Sequence, residues 1–198
     1  MENIVRMKKA LQQFQQAAKK AADEIARNNE IYQHDAALEA NKTVAAKRAE
    51  AKAAAVAEIK SAAAAGKAAA ERWATLDGSK ITDDAKLLQF DMTPAQFSEL
   101  VERNRGNGTM VTLLRQFALE RNEKNGARLY DRPEKRYPVE ALPSLEKKVD
   151  AYSKFESYAL QLLNNVEEHP ELPGIISEIE NFAVRHPGTP SPLLDAIQ

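Results

Sequence analysis

The chain has 198 residues, 28 basic and 29 acidic side chains for a net charge of −1, and no cysteine. Near-neutrality removes a global attraction to nucleic acid or anionic lipid. The missing cysteines exclude disulfides, cysteine-ligated zinc and thiol catalysis.

From Met1 to Ala65 there is neither glycine nor proline, and 25 of the 65 residues between Ala10 and Ala74 are alanine. Lys, Glu, Gln and Arg supply most of the rest, so helix is favoured at almost every position. One helix over this stretch would be about 110 Å long. Such a rod must project, pair with a partner or fold back. Residues 1–77 therefore read as a long Ala-rich helical segment, either a coiled coil or a helical hairpin.

Large apolar residues mark its seam. Ile4, Leu11, Ala18 and Ile25 recur every seven residues, with Met7, Phe14 and Ala21 offset by three, which is a heptad pattern. The frame slips at Asn28-Asn29 and resumes with Ile31, Leu38, Ala45, Lys52, Ile59, Gly66 and Trp73. A bend is expected at Asn28-Asn29 or at Asn41-Lys42-Thr43. The large side chains Ile4, Met7, Leu11, Phe14, Ile25, Ile31 and Leu38 need burial, so this seam is expected to make a homo-oligomer. Residues 44–72 present a thinner alanine face.

Residues 78–198 read as a compact helical domain, since nine of the twelve aromatics follow Trp73. Thr82-Asp83-Asp84 begins a short helix whose apolar side is Leu87, Leu88 and Phe90. Thr93-Pro94-Ala95-Gln96 carries a capping box with proline at the first helical position. Asn104-Arg105-Gly106-Asn107-Gly108 ends that helix, and Thr109 is expected to cap the next, giving an αα-hairpin over residues 94–125. The segment Asp84-Ala85-Lys86-Leu87-Leu88, then Met92-Thr93-Pro94 with Phe97, Leu100, Val101 and Arg103, then Asn107, Thr109, Met110, Leu113 and Leu114, resembles segments of small helical proteins encoded in the structural-gene clusters of tailed phages and prophages. It covers about a fifth of the chain. The long Ala/Lys/Glu helix ahead of a helical domain is also similar to phage scaffolding proteins. The resemblance implies virion assembly, with other virion proteins as partners, in the host cytoplasm or the virion.

Residues 127–143 read as a loop broken by Pro133, Pro138 and Pro143. It interleaves Arg128, Arg132 and Arg136 with Tyr130 and Tyr137, a candidate partner-binding loop; the balancing Asp131, Glu134 and Glu140 favour tyrosines that pin the loop to the core. Ser144 caps a helix over about residues 145–165, striped by Leu145, Val149, Tyr152, Phe155, Ala159, Leu162 and Val166. A last helix is expected over Gly174–Val184, followed by a Pro-rich tail.

His34, His169 and His186 are far apart and none has metal-ligand spacing. Ala65-Gly66-Lys67-Ala68 lacks the upstream glycine and the Ser/Thr of a phosphate loop. No cofactor, metal or enzymatic activity is expected. No run is apolar enough to span a bilayer, and Met1–Lys9 lacks a signal-peptide apolar core, so a cytoplasmic protein without a membrane partner is expected. Nucleic acid is not an expected partner. The sequence thus points to an all-α, self-associating assembly protein; the alternative is a helical binding module that docks a protein or nucleic acid, with the long helix as spacer.

Overall fold

The computed structural model describes residues 2–130 and 135–171; the side chains of residues 127–130 and 141 lie outside that description, as do the helix expected at Gly174–Val184 and the tail after it. The protein is all-α, and among the described residues there is no strand. Five α-helices follow one another among the described residues: α1 Glu2–Ile31, α2 His34–Ala74, α3 Pro94–Asn104, α4 Gly108–Tyr130 and α5 Leu145–Glu168. They form two compact units. Among the described residues, the first takes those up to Lys67 and those from Val149 to Glu171; the second takes those between Ala68 and Lys148.

The first unit is a three-helix bundle. The Ala-rich segment folds back at Tyr32-Gln33, so it is a hairpin rather than one rod. The turn falls between the two expected sites, and the asparagines that disfavour helix flank it. Asn28 donates to Asn41 at 3.0 Å, and Asn41 donates to Asn29 at 2.9 Å, tying α1 to α2 beside the turn. Arg6 meets Glu58 at 2.9 Å near the other end of the antiparallel pair.

The bundle portion of α5 runs antiparallel to α2, because Lys67 pairs with Glu156 at 3.0 Å while Arg48 and Lys52 both reach Glu167. Its core joins Ile4, Met7, Leu11 and Phe14 of α1, Ile59 with Ala62 and Ala63 of α2, and Phe155, Leu162, Leu163 and Val166 of α5. Burying each large apolar side chain contributes about 1.5–3 kcal/mol. Alanine contributes less but lets backbones approach. Gly66 extends this logic, because a methyl group there would overlap the Tyr152 ring. Burial in turn raises the pKa of the Tyr152 hydroxyl above its ordinary value.

The second unit is built on aromatics. The capping box forms as expected, with Gln96 N–H donating to Thr93 Oγ1 at 3.3 Å and Thr93 N–H to Gln96 Oε1 at 2.8 Å. The expected αα-hairpin is α3 and α4. Its cap differs from the expectation: Asn107 Oδ1 accepts the Met110 N–H at 3.2 Å, while Thr109 is buried and accepts from the Asp77 N–H at 3.0 Å. Gly108 is required at the start of α4 because a side chain would strike the Trp73 carbonyl. Regular geometry breaks at Gly126, near the expected end of the hairpin. Phe97, Leu100, Leu114, Phe117, Tyr137 and Leu142 form the core. The rings of Phe97 and Phe117 stack 6.1 Å apart, and Tyr137 meets both edge-on, a geometry the aromatic quadrupoles favour.

The short helix expected before α3 is present, but Leu87, Leu88 and Phe90 do not share one buried side. Asp83–Gln89 is a 3-10 helix closed by i→i+3 bonds at both ends, Ala85 N–H to Thr82 and Phe90 N–H to Leu87. With three residues per turn, one narrow strip faces inward. Leu88 packs on the core, while Leu87 and Phe90 turn out to solvent.

Candidate functional site

A groove in the second unit gathers two large apolar side chains that its core leaves uncovered, Leu87 and Phe90. Pro94 disfavours helix in the residue before it, and Thr93 is extended (φ −74°, ψ 155°). Phe90 is extended as well (φ −106°, ψ 156°). The strip between them is anchored on two sides. Tyr137 Oη donates to the Met92 carbonyl at 2.6 Å, and Asp91 pairs with Arg121 at 2.7 Å. Arg121 also lies 5.3 Å from the Phe117 ring centre. Held this way, Phe90 remains 64% exposed.

Leu87, Phe90, Met92 and Leu100 supply the apolar lining of a groove of about 380 Å³; Asp91, Gln96, Glu99 and Arg103 line it with polar groups. Leu100 is buried at its floor. Apolar walls with a few polar groups are the usual makeup of a recognition site. Asp84 steadies one edge, accepting from Asn104 Nδ2 at 2.7 Å and lying 3.7 Å from Arg103. The bundle has a larger groove, about 520 Å³, but alanines 10, 51, 54 and 55 line much of it and the Arg6–Glu58 pair borders it. Alanine methyls offer little area to a ligand.

The expected oligomerisation seam divides. Ile4, Met7, Leu11 and Phe14 are buried inside the chain's own bundle, because α2 and α5 supply tethered apolar partners. Ile25 is half-buried, and Ile31 and Leu38 are 62% and 51% exposed. The seven-residue spacing fitted either an intramolecular or an intermolecular neighbour, and four of its seven side chains have the intramolecular one.

The candidate Arg/Tyr loop divides too. Tyr137 is a core residue rather than a presented ring. Its backbone is clasped by Asn122, which accepts the Tyr137 N–H and donates to its carbonyl, both at 3.0 Å. Burial raises the pKa of its hydroxyl. Arg136 is exposed and pairs with Glu140 at 3.1 Å. The side chains of Arg128 and Tyr130, and all of Arg132, lie outside the described residues.

The sequence reading missed a second cluster in this unit. Lys148, in the first turns of α5, is only 5% exposed, with Nζ 4.6 Å from the Trp73 ring centre. Desolvation, then the charge of Arg105, lowers its pKa. Helical phase was the available signal: Lys148 lies three residues after Leu145 and four before Tyr152, on an otherwise apolar side of α5.

Among the described residues, no group of three or more His, Cys, Asp or Glu side chains could hold a metal ion, and no helix is long and apolar enough to cross a membrane. Comparison with protein-family models, with curated proteins and with solved structures gives no match to this chain.

Proposed function

We propose that the protein is a non-enzymatic helical binding module that docks a short amphipathic polypeptide segment in the Leu87–Leu100 groove. One observation carries this reading: a large aromatic, Phe90, stands 64% exposed on a strip anchored by Tyr137 and Arg121, over an apolar lining. Aromatic anchors beside pockets are common hot spots at protein interfaces. Leaving such a side chain in water forgoes about 1.5–3 kcal/mol that burial would return. The resemblance to phage structural-gene products suits an assembly setting for such a module, with another virion protein as partner.

The test is a displayed peptide library selected on the full chain and counter-selected on Phe90→Asp. The expected result is a set of peptides with two or three apolar anchors that bind wild type and lose about 2 kcal/mol or more of affinity on the variant. Selection that enriches nothing over Phe90→Asp, with the variant still folded by circular dichroism, overturns the reading.

A second reading, self-association, keeps support from the exposed remainder of the seam. Ile31, Leu38 and the 51% exposed Tyr32 sit at the turn end of the α1–α2 hairpin. Sedimentation velocity at rising concentration should then give a dimer or larger species that Ile31→Asp with Leu38→Asp returns to monomer. A wild-type monomer at high micromolar concentration removes this reading.

A further inference from the structure

We propose that Lys148 is a covalent capture site for small aldehydes. Its side chain is almost wholly buried, and the Trp73 ring lies against the amine. Other lysines with partners differ. Lys52 pairs with Glu167, Lys67 with Glu156, and the adjacent Lys147 donates to the carbonyls of Glu140 and Leu142. Among the described residues, Lys148 Nζ meets neither a carboxylate nor a hydrogen-bond acceptor. The charged neighbour that acts on it is a cation, Arg105, itself 3.4 Å from Glu102.

Loss of water, the lack of an anion among the described residues and the charge of Arg105 favour the free base, against the pull of the Trp73 ring on the ammonium, and the free base is the nucleophile. The Trp73 Nε1–H is buried and finds no acceptor among the described residues. The cluster thus offers a nucleophilic amine and an unused donor, a pairing suited to a carbonyl compound.

The reaction needs no co-reactant. The Nζ lone pair attacks the aldehyde carbon and a C–N bond forms. The amine gives up two protons, and the carbonyl oxygen leaves with them as water, producing an imine. Cyanoborohydride added as a trap delivers hydride to the imine carbon and fixes a secondary amine.

The test labels the full chain with trace formaldehyde and cyanoborohydride at neutral pH and reads each lysine by peptide mass spectrometry. Lys148 should react several-fold faster than the exposed Lys20 and Lys60, because its lowered pKa leaves more free base at neutral pH. Its advantage should disappear in denaturant. Arg105→Gln, folded by circular dichroism, should slow Lys148 and leave Lys20 and Lys60 unchanged. Trp73, the chain's single tryptophan, gives an independent readout, since its emission should change with Lys148 labelling and stay constant in Lys148→Arg. A Lys148 that reacts no faster than the exposed lysines overturns the proposal, because that is how a merely buried amine behaves.

Discussion

The bundle and the aromatic unit solve the same problem with different materials. The bundle brings helices close through alanine and Gly66 and fills the remaining space with a few large side chains such as Phe14 and Phe155. The aromatic unit interlocks three rings and ties its irregular segments down with hydrogen bonds. Small residues give proximity, which fails when volume is added. Large rings give area, which fails when volume is removed. Both units should therefore suffer when a buried ring is removed, while the bundle should also suffer when volume is added at its close helix contacts.

The largest expected effect tests whether both cores are equally well filled. Phe14→Ala and Phe97→Ala each remove a fully buried ring, and each should cost about 3–5 kcal/mol in denaturant unfolding. A cost below about 1 kcal/mol at Phe14 would mean that the alanine-rich bundle collapses around the hole and breaks the comparison.

Adding a methyl group is the converse test. Gly66→Ala should destabilise by about 1–3 kcal/mol through overlap with Tyr152, despite the better helix propensity of alanine, which recovers up to about 1 kcal/mol. Thermal unfolding of the double variant with Tyr152→Leu should show most of that loss restored. A single variant as stable as wild type would remove the close-approach account.

Smaller effects probe the ties. Tyr137→Phe keeps the ring and deletes the bond to the Met92 carbonyl, for an expected loss of about 1 kcal/mol. It should also weaken peptide binding at the groove, since Met92 lies in its wall. Asn41→Ala removes both bonds beside the hairpin turn at a largely solvated site, and about 0.5 kcal/mol is expected by equilibrium unfolding.

Much of the fold was legible because helix signals are local. The glycine-free run, the Thr93–Gln96 capping box and the glycine-containing turn before α4 each act within a few residues. What a heptad pattern cannot express is whose helix covers it. Leu11 and Phe14 announce that they need a partner, but the partner, α5, lies far along the chain. The turn was bracketed rather than placed: Asn28, Asn29 and Asn41 weaken helix, and their mutual hydrogen bonds then fix the bend at Tyr32-Gln33 between them. The groove was less legible. Leu87, Leu88 and Phe90 look like one apolar side at helical spacing, and only the tighter 3-10 winding sends Leu88 inward and the other two out. Lys148 was hidden by its identity, since a lysine is read as solvated until a ring is found over it.

The order in which the chain emerges during synthesis gives the two units unequal histories. The second unit, Ala68–Lys148, interrupts the first in sequence, from the last turns of α2 to the first turn of α5. The α1–α2 hairpin is made first, with the sides of Leu11, Phe14 and Ile59 that face α5 uncovered until the ribosome has produced the whole aromatic unit and then α5. Lengthening that connection is cheap in closure entropy, about 0.6 kcal/mol per doubling, so the insertion burdens timing more than stability. During that interval a nascent chain exposes the apolar surface that the finished protein conceals.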